Sequence, residues 1–461
     1  MLKRPLGLAL LAVALVVTAG TFAWTTAVRD RDYRRLVAAG DAAVGADQTF
    51  VAIENYSGAI ALKPDSMLAY LKRGETYRRL GDLNAALRDL RTASTLDPTA
   101  PRPLERLGDV LYAERRYGRA ADRYNEYIRL DDRSPRLLYK LALARYQDGR
   151  ADAAIPVLRQ AIRLNDRYAE AYYLLGLCLQ ARRLNNEALW ALQRAIRTAP
   201  ALTAPREALA ALFGTLGRSS ERIEQLEALA ALESGRVARQ VDLALAYAAS
   251  GRTELAVVTL GRAAERFPND IAVYTALASI WLQPAETRGD HAALAKALEA
   301  TRTIIARRSP TAQDLLLHGR ALMLSGDVES ALGAFREATA QLPVQPVAFE
   351  RLATAAELAG RAAEARDALV RYLALLPDGR RQAVVAARIA DVSARLRQPA
   401  EAVRWQTRAV EENPADGRLL ARLAELQITT GDRHLARTTL ARAIAAGAPP
   451  EAIRRVELAL Q

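Results

Sequence analysis

Three small residues and a proline recur along this chain at separations of 12, 7 and 5 residues. Two full copies of the pattern are Gly74, Ala86, Ala93, Pro98 and Gly176, Ala188, Ala195, Pro200. A small residue where two helices cross lets their axes approach to about 8–10 Å, and residues seven apart lie on one helix face. Proline ends a helix because it lacks an N–H and disfavours helical geometry before it. The spacing therefore predicts closely packed helix pairs that end at the proline.

The pattern is found in twelve places, nearly all in the same phase. The first small residues of the copies are Gly40, Gly74, Gly108, Ala142, Gly176, Ala210, Ala244, Ala278, Gly319, Ala353, Ala390 and Ala424. Most copies also have a glycine where the two helices of the pair would be joined. These glycines are Gly81, Gly149, Gly217, Gly251, Gly326, Gly360 and Gly431.

This pattern resembles the tetratricopeptide repeat, a 34-residue helix–turn–helix unit. The resemblance covers residues 33–450 and implies an all-α, right-handed superhelical solenoid of about twelve units. One helix pair cannot bury its apolar faces alone, whereas a stack of pairs can. We number the repeats 1 to 12 and call the two helices of each repeat the first and the second helix.

Composition agrees with an all-α fold and argues against a metal or disulfide framework. Hydrophobic residues make up 51% of the chain but aromatic residues only 6%, and the abundant Ala and Leu favour helix over sheet. The single cysteine, Cys178, rules out an intramolecular disulfide or a cysteine zinc site. Its apolar helical surroundings predict a buried, unreactive thiol. The three histidines are scattered along the chain, so we expect no metal and no cofactor.

Two insertions interrupt the repeat pattern. In repeat 8, 19 residues separate Ala278 from Ala297 where 12 are expected, and the extra seven lie within 283–292. We interpret this segment as an inserted loop, either merely tolerated or contacting a partner. Residues 380–382 are inserted before repeat 11. The final residues, 451–461, are predicted to form a helix that caps the last repeat.

The N-terminus predicts a membrane anchor. After Lys3 and Arg4, residues 5–28 carry no charge, a helical length sufficient to span a hydrocarbon core of about 30 Å. We assign residues 1–28 to an uncleaved anchor, or alternatively to a signal peptide, and 29–32 to a juxtamembrane segment. The positive charges before and after the apolar segment favour opposite orientations in the membrane. We expect a single-pass protein of a bacterial inner membrane with its repeats in the periplasm; export after cleavage and a cytoplasm-facing domain are the alternatives.

The sequence predicts a binding protein, because the repeats leave no segment for a catalytic domain and no dinucleotide, Walker, zincin or nucleophile-elbow motif is present. The tetratricopeptide resemblance implies a concave groove, lined by the first helices, that takes a peptide or protein partner. By the phase of the repeats, the predicted groove residues are Tyr112, Arg136, Tyr139, Leu143, Tyr146, Tyr173 and Leu177. Tyrosine combines a large contact area with a polar tip and favours interfaces, although these rings could instead fill space between repeats.

We expect the protein to be a membrane-anchored scaffold that assembles a cell-envelope complex. One alternative is a non-catalytic accessory subunit of an envelope enzyme. The formal net charge of +13 raises a third, a nucleic-acid or anionic-polymer binder. The arginines alternate with acidic residues, however, as in 114–126, which makes nucleic acid a poor candidate.

Some tetratricopeptide proteins hold a C-terminal carboxylate with Lys, Asn and Arg from three successive repeats. In this chain Leu71 and Glu75 lie where such cationic and amide groups would be needed. We therefore do not expect binding of a chaperone tail.

Overall fold

The computed structural model describes residues 4–307, 309–377 and 379–461, apart from the side chains of residues 4–13 and 307. The described residues form 25 α-helices and no strand. The chain divides into an N-terminal half, 1–232, and a C-terminal half, 233–461. Within each half, helices pack in consecutive antiparallel pairs, and each second helix also packs against the first helix of the next repeat. The prediction of an all-α helical solenoid is confirmed.

The N-terminal half contains twelve helices in its described residues. They are α1 (Arg4–Gly45), α2 (Thr49–Leu62), α3 (Met67–Leu80), α4 (Leu83–Leu96), α5 (Pro101–Ala113), α6 (Tyr117–Leu130), α7 (Pro135–Gln147), α8 (Ala151–Leu164), α9 (Ala169–Ala181), α10 (Asn185–Thr198), α11 (Thr203–Thr215) and α12 (Ser219–Leu232).

The C-terminal half contains thirteen helices in its described residues. They are α13 (Val237–Ala249), α14 (Thr253–Arg266), α15 (Ile271–Arg288), α16 (His291–Arg307), α17 (Ala312–Ser325), α18 (Val328–Ala340), α19 (Pro346–Leu358), α20 (Ala362–Ala374), α21 (Arg380–Arg395), α22 (Pro399–Glu412), α23 (Gly417–Thr429), α24 (Arg433–Ala445) and α25 (Pro450–Leu460). The last of these, α25, packs against α23 and α24 through Ala452, Ile453 and Val456.

The recurring small residues lie at the helix contacts. Ala86, Ala93, Ala188 and Ala195 are completely buried. The Cα of Gly176 lies so close to the second helix that an added Cβ would stand 2.7 Å from Leu192, and Gly74 faces Leu90 in the same way at 2.9 Å. The prolines lie in exposed turns: Pro98 follows the end of α4, and Pro200 follows the end of α10.

The turn between the two helices of a repeat requires a residue with a left-handed backbone. Seven such turns use the glycines predicted from the sequence, all with positive φ. Four turns instead use Asp47, Arg115, Arg183 or Arg397, each with φ of 58–59°. A side chain in this conformation costs about 1–2 kcal/mol, so these four turns carry local strain.

Replacing Arg183 by glycine should therefore stabilise the protein. We expect Arg183→Gly to raise the free energy of unfolding by about 0.5–1 kcal/mol, because relief of backbone strain exceeds the greater unfolded-state entropy of glycine. Equilibrium urea unfolding measures the change. The control is Gln48→Gly. Gln48 follows Asp47 in its turn but has an ordinary φ of −89°, so glycine relieves no strain there and should lower the free energy of unfolding. Equal effects of the two substitutions would contradict the strain argument.

The two insertions lengthen helices. The interpretation of 283–292 as a loop is wrong: these residues extend α15 and α16, and only Gly289 and Asp290 connect them. The longer helices stay packed together because Ala285, Ala293 and Leu294 form an extra buried contact. The insertion 380–382 similarly forms the first turn of α21.

The predicted membrane location is contradicted. The apolar segment lies within α1, a continuous helix, and its side chains are described from residue 14 onward; residues 1–3 lie outside the described residues. In the part of the chain that the structure describes, no helix is both long and apolar enough to cross a bilayer. The assignment as a single-pass, periplasm-facing membrane protein is therefore wrong.

Candidate partner-binding site

Five of the predicted groove residues lie on two neighbouring first helices. We call them the aromatic patch: Tyr139, Leu143 and Tyr146 on α7, with Tyr173 and Leu177 on α9. Their spacing of three or four residues puts those of each helix on one face. All five are half-buried, and the three tyrosines and Leu143 pack against the same buried cluster of α7 to α11. The patch is thus anchored on the core but still open to contact.

The other repeats show that helix packing does not require this patch. Tyr139 and Tyr173 are at the same position of their repeats, and this position holds Leu71 in repeat 2, Glu105 in repeat 3 and Glu207 in repeat 6. Residues equivalent to Leu143 and Leu177 are Glu75, Asp109 and Ala211. The fold accepts charged side chains at these positions, so the run of Tyr and Leu in repeats 4 and 5 needs another explanation.

Tyr139 and Tyr173 of the patch have other tyrosines as near neighbours. The rings of Tyr139 and Tyr168 lie 5.3 Å apart. Burial raises the pKa of Tyr139 to about 12, with smaller contributions from neighbours that include Tyr168, Tyr112 and Tyr173. Burial also raises the pKa of Tyr173, which interacts with Tyr146. These hydroxyls therefore stay protonated at neutral pH and can donate hydrogen bonds.

Two predicted groove residues differ from the rest. Tyr112 packs against the preceding hydrophobic cluster, and its ring makes an edge contact with Tyr117 at 5.1 Å, so much of its surface serves packing within repeat 3. Arg136 is held by an ion pair of 2.6 Å between its Nη2 and Oε1 of Glu105 on α5, although its side chain remains 58% exposed.

A ladder of ion pairs occupies the first helices on the N-terminal side of the patch. Each rung joins an acidic residue to a basic residue 31 positions later, on the first helix of the next repeat. The rungs are Asp41–Lys72 at 2.6 Å, Glu75–Arg106 at 2.7 Å and Asp109–Lys140 at 2.7 Å. Lys140 also binds the buried Glu105 at 2.7 Å. The same spacing returns in the C-terminal half as Asp391–Arg422 at 2.8 Å.

The ladder stops where the patch begins. The positions that would form the next two rungs hold Leu143 with Leu174 and Leu177 with Ala208. The first-helix surface of this half therefore changes from internally neutralised charge in repeats 1–4 to apolar and aromatic groups in repeats 4 and 5. Sequence reasoning missed the basic members of the ladder, and the 31-residue alternation of sign is the signal that could have found them.

The first rung should contribute a small, pH-dependent stabilisation. Burial acts to raise the pKa of Asp41, but hydrogen bonds from Lys72 and Tyr56 outweigh it and hold the pKa below its usual 3.8. The stabilisation is therefore present above pH 3.8 and lost as the pH falls through the folded-state pKa. We expect a double-mutant cycle of Asp41→Asn and Lys72→Met to give a coupling of about 0.5–1 kcal/mol at pH 7.

The more exposed pair Arg182–Asp152, 2.6 Å apart, is the matched control for this cycle. Its coupling should be closer to zero because solvent screens both groups. Equal couplings, or a first-rung coupling that persists unchanged at pH 3, would contradict this account.

Cys178 lies inside α9 beneath the patch and is fully buried, as predicted. Burial raises the pKa of its thiol to about 12. The thiolate, which is the reactive form of cysteine, is thus scarce at neutral pH, and Cys178 acts as a small apolar residue.

Stacked antiparallel helix pairs with small residues at their crossings define a helical repeat protein. Residues 37–101, 71–136, 105–163, 139–202 and 316–380 match a tetratricopeptide repeat family model, and together these segments cover just over half of the chain. Residues 240–270 match a second tetratricopeptide repeat model. The chain belongs to the tetratricopeptide repeat family.

Similar proteins include two curated relatives and several solved structures. Small glutamine-rich tetratricopeptide repeat-containing protein 2 of Mycosarcoma maydis is 31% identical over 96 residues, 21% of this chain and 27% of that protein. Hsp70-Hsp90 organizing protein 3 of Arabidopsis thaliana is 31% identical over 78 residues, 17% of this chain and 14% of that protein. The chain thus matches only a small part of either relative. A crystal structure of MamA protein is 24% identical with a TM-score of 0.35, covering 37% of this chain and 92% of MamA.

Proposed function

We propose that this protein is a non-catalytic scaffold that binds a peptide segment of a protein partner across the first helices of repeats 4 and 5, in the concave groove expected for such repeats. The observation that carries the proposal is the aromatic patch. Its tyrosines and leucines are half-exposed at positions where several other repeats of the same chain hold charged residues, such as Glu75, Glu105 and Asp109. Helix packing does not require apolar residues at these positions, and contact with a partner would explain why they are kept here.

The chemistry of the patch favours an apolar or aromatic peptide. Tyrosine offers a large, stiff contact surface together with a hydroxyl, and it is enriched among the residues that contribute most to binding energy. The hydroxyls of Tyr139 and Tyr173 are donors at neutral pH, so they can bind backbone carbonyls of an extended segment. Arg136, at the edge of the patch, is already paired with Glu105, so the apolar and aromatic surface is what the patch offers to a partner.

The ion-pair ladder argues against a polyanion on this face. Lys72, Arg106 and Lys140 each bind a carboxylate of the preceding repeat. A nucleic acid or acidic polymer would have to break these pairs before it gained any. Glu75, held between Arg102 and Arg106, also places a negative charge where a C-terminal carboxylate would need a cation.

Salt dependence of partner capture tests the proposal against the polyanion alternative. The full chain is immobilised, and proteins retained from its native cells are eluted with increasing salt. We expect a protein partner to stay bound between about 50 and 200 mM salt, because apolar contacts are not screened. Retention of nucleic acid, or release of most bound material over this range as counterion release requires, would contradict the proposal.

A further inference from the structure

A second apolar site lies between two second helices of the N-terminal half. It is a cavity of about 520 Å³ between α8 and α10, within the range of about 300–1,000 Å³ typical of binding sites. Leu175 and Leu179 of α9 form its floor, and Ile162 and Trp190 form its walls. Its polar rim consists of Arg159, Arg163, Asn186 and Glu187. We call this site the outer groove.

The outer groove is separate from the aromatic patch. Both use α9, but Leu175 and Leu179 each lie two positions after a patch residue, Tyr173 or Leu177. Two residues rotate the side chain by about 200° around a helix. The outer groove and the patch are therefore on opposite faces of α9, so one can be altered without the other.

Trp190 is the unusual residue of the outer groove. Its side chain is 51% exposed, and its ring makes an edge contact with the ring of Tyr172, the two centroids lying 5.8 Å apart. The equivalent residues in the other repeats of this half from repeat 2 on are Arg88, Asp122, Pro156 and Glu224, all exposed. The fold therefore places a solvent-facing residue at this position, and packing does not require the indole.

The rim of the outer groove carries an excess of positive charge. Arg159 pairs with Glu187 across the groove at 2.9 Å. Arg163 lies one turn further along α8, is exposed, and forms no ion pair within the described residues. An apolar groove with an unpaired cation at its edge is complementary to a group that is apolar on one side and anionic on the other.

We propose that the outer groove binds an acidic amphipathic helix of a protein partner. One large aliphatic or aromatic side chain of that helix packs between Ile162 and Trp190, above Leu175 and Leu179. A carboxylate on an adjoining turn pairs with Arg163. An amphipathic helix seated in a groove between two helices is a recurrent mode of recognition, and the indole supplies the anchoring contact.

A designed peptide tests this assignment with the full-length protein. The probe is a labelled helical peptide with leucine at spacings of three and four and glutamate elsewhere; a second peptide has lysine in place of every glutamate. Fluorescence anisotropy measures binding. We expect the glutamate peptide to bind at least about tenfold more tightly than the lysine peptide.

Two variants locate the binding. Trp190→Glu copies the residue at the equivalent position of repeat 6, Glu224, so the fold accommodates it, and circular dichroism checks this. We expect Trp190→Glu and Arg163→Glu each to weaken binding of the glutamate peptide at least about tenfold. Arg129→Glu, at the position equivalent to Arg163 one repeat earlier, should leave binding unchanged, as should substitutions in the aromatic patch.

Three results would overturn the assignment. They are equal binding of the two peptides, binding that survives Trp190→Glu, and binding of neither peptide. A further arm uses anilinonaphthalene sulfonate, a small apolar anion. If this dye binds in a manner that depends on Trp190 while the peptides do not bind, the outer groove belongs to a small amphipathic anion and the proposed helix is wrong.

Discussion

Replacing Gly319 by alanine should lower the free energy of unfolding by about 2–3 kcal/mol, the range of a severe overpacking substitution. A Cβ added at Gly319 would lie 2.4 Å from Cε1 of Phe335, far inside van der Waals contact. Phe335 is a rigid ring in the buried core of α17 to α21, so it cannot turn aside without disturbing its neighbours. Urea unfolding of the full chain measures the loss.

The rest of the chain explains why glycine is needed here. The residue 16 positions after the first small residue of a repeat lies on the second helix of that repeat. Where this later residue is aromatic, the first small residue is glycine. The three such pairs are Gly40 with Tyr56, Gly108 with Tyr124 and Gly319 with Phe335, and in each the ring lies within 2.5 Å of where a Cβ would be. Where the later residue is leucine, alanine can take the first place, as in Ala353 with Leu369, both fully buried.

A second substitution should therefore rescue the first. Phe335→Leu alone should destabilise through lost apolar contact, but Gly319→Ala together with Phe335→Leu recreates the pair Ala353–Leu369. We expect the double variant to be more stable than Gly319→Ala alone. The control is Gly333→Ala in α18, where no atom lies within 4 Å of the added Cβ and the higher helix propensity of alanine should stabilise by up to about 1 kcal/mol. If both alanine substitutions have the same effect, the packing argument fails.

Two substitutions in the aromatic patch should abolish most partner binding. We expect Tyr146→Gln and Tyr173→Glu each to weaken capture of the partner at least about tenfold, because buried tyrosines at an interface commonly contribute about 2 kcal/mol or more. The free energy of unfolding should change by less than about 1 kcal/mol, because other repeats of this chain hold glutamine or glutamate at these positions. Calorimetric titration with the partner and urea unfolding measure the two quantities.

The replacement residues come from the chain itself. Gln180 is the residue of repeat 5 at the position of Tyr146, and Glu207 is the residue of repeat 6 at the position of Tyr173. Alanine is a poorer choice, because the half-buried rings rest on the core and truncation would also remove packing. Tyr274→Gln in the C-terminal half is the control for the loss of one tyrosine. Patch variants that unfold readily but still bind would show that the rings serve only packing.

Much of this fold could be predicted because its packing rule is periodic. A small residue at each helix crossing leaves a trace at fixed separations, and Gly74, Ala86 and Ala93 lie at the contacts that this spacing requires. Glycines in the sequence indicated where most of the left-handed turns lie. Arg115 and Arg183 have the same left-handed backbone conformation without glycine, so those two turns could not be predicted in this way.

Other features could not be predicted from local signals. The seven extra residues of repeat 8 were interpreted as a loop, but α15 accommodates Pro284, and Gly289 caps its end with φ of 64°. The ion-pair ladder joins residues 31 apart, so it becomes visible only when consecutive repeats are aligned. The groove residues were predicted from repeat phase, but the phase could not distinguish Tyr112, which packs on Tyr117, from the tyrosines of the patch.

Photocrosslinking from position 146 tests the central claim, that the aromatic patch binds a protein partner, most directly. A photoreactive phenylalanine analogue replaces Tyr146 in the full chain in its native cells, and mass spectrometry identifies the adducts. Asp122, exposed on α6, is the control position. We expect one dominant protein to be captured from position 146 and not from position 122. A folded chain that captures nothing from position 146 above the yield at position 122 would contradict the claim and leave the patch a packing feature.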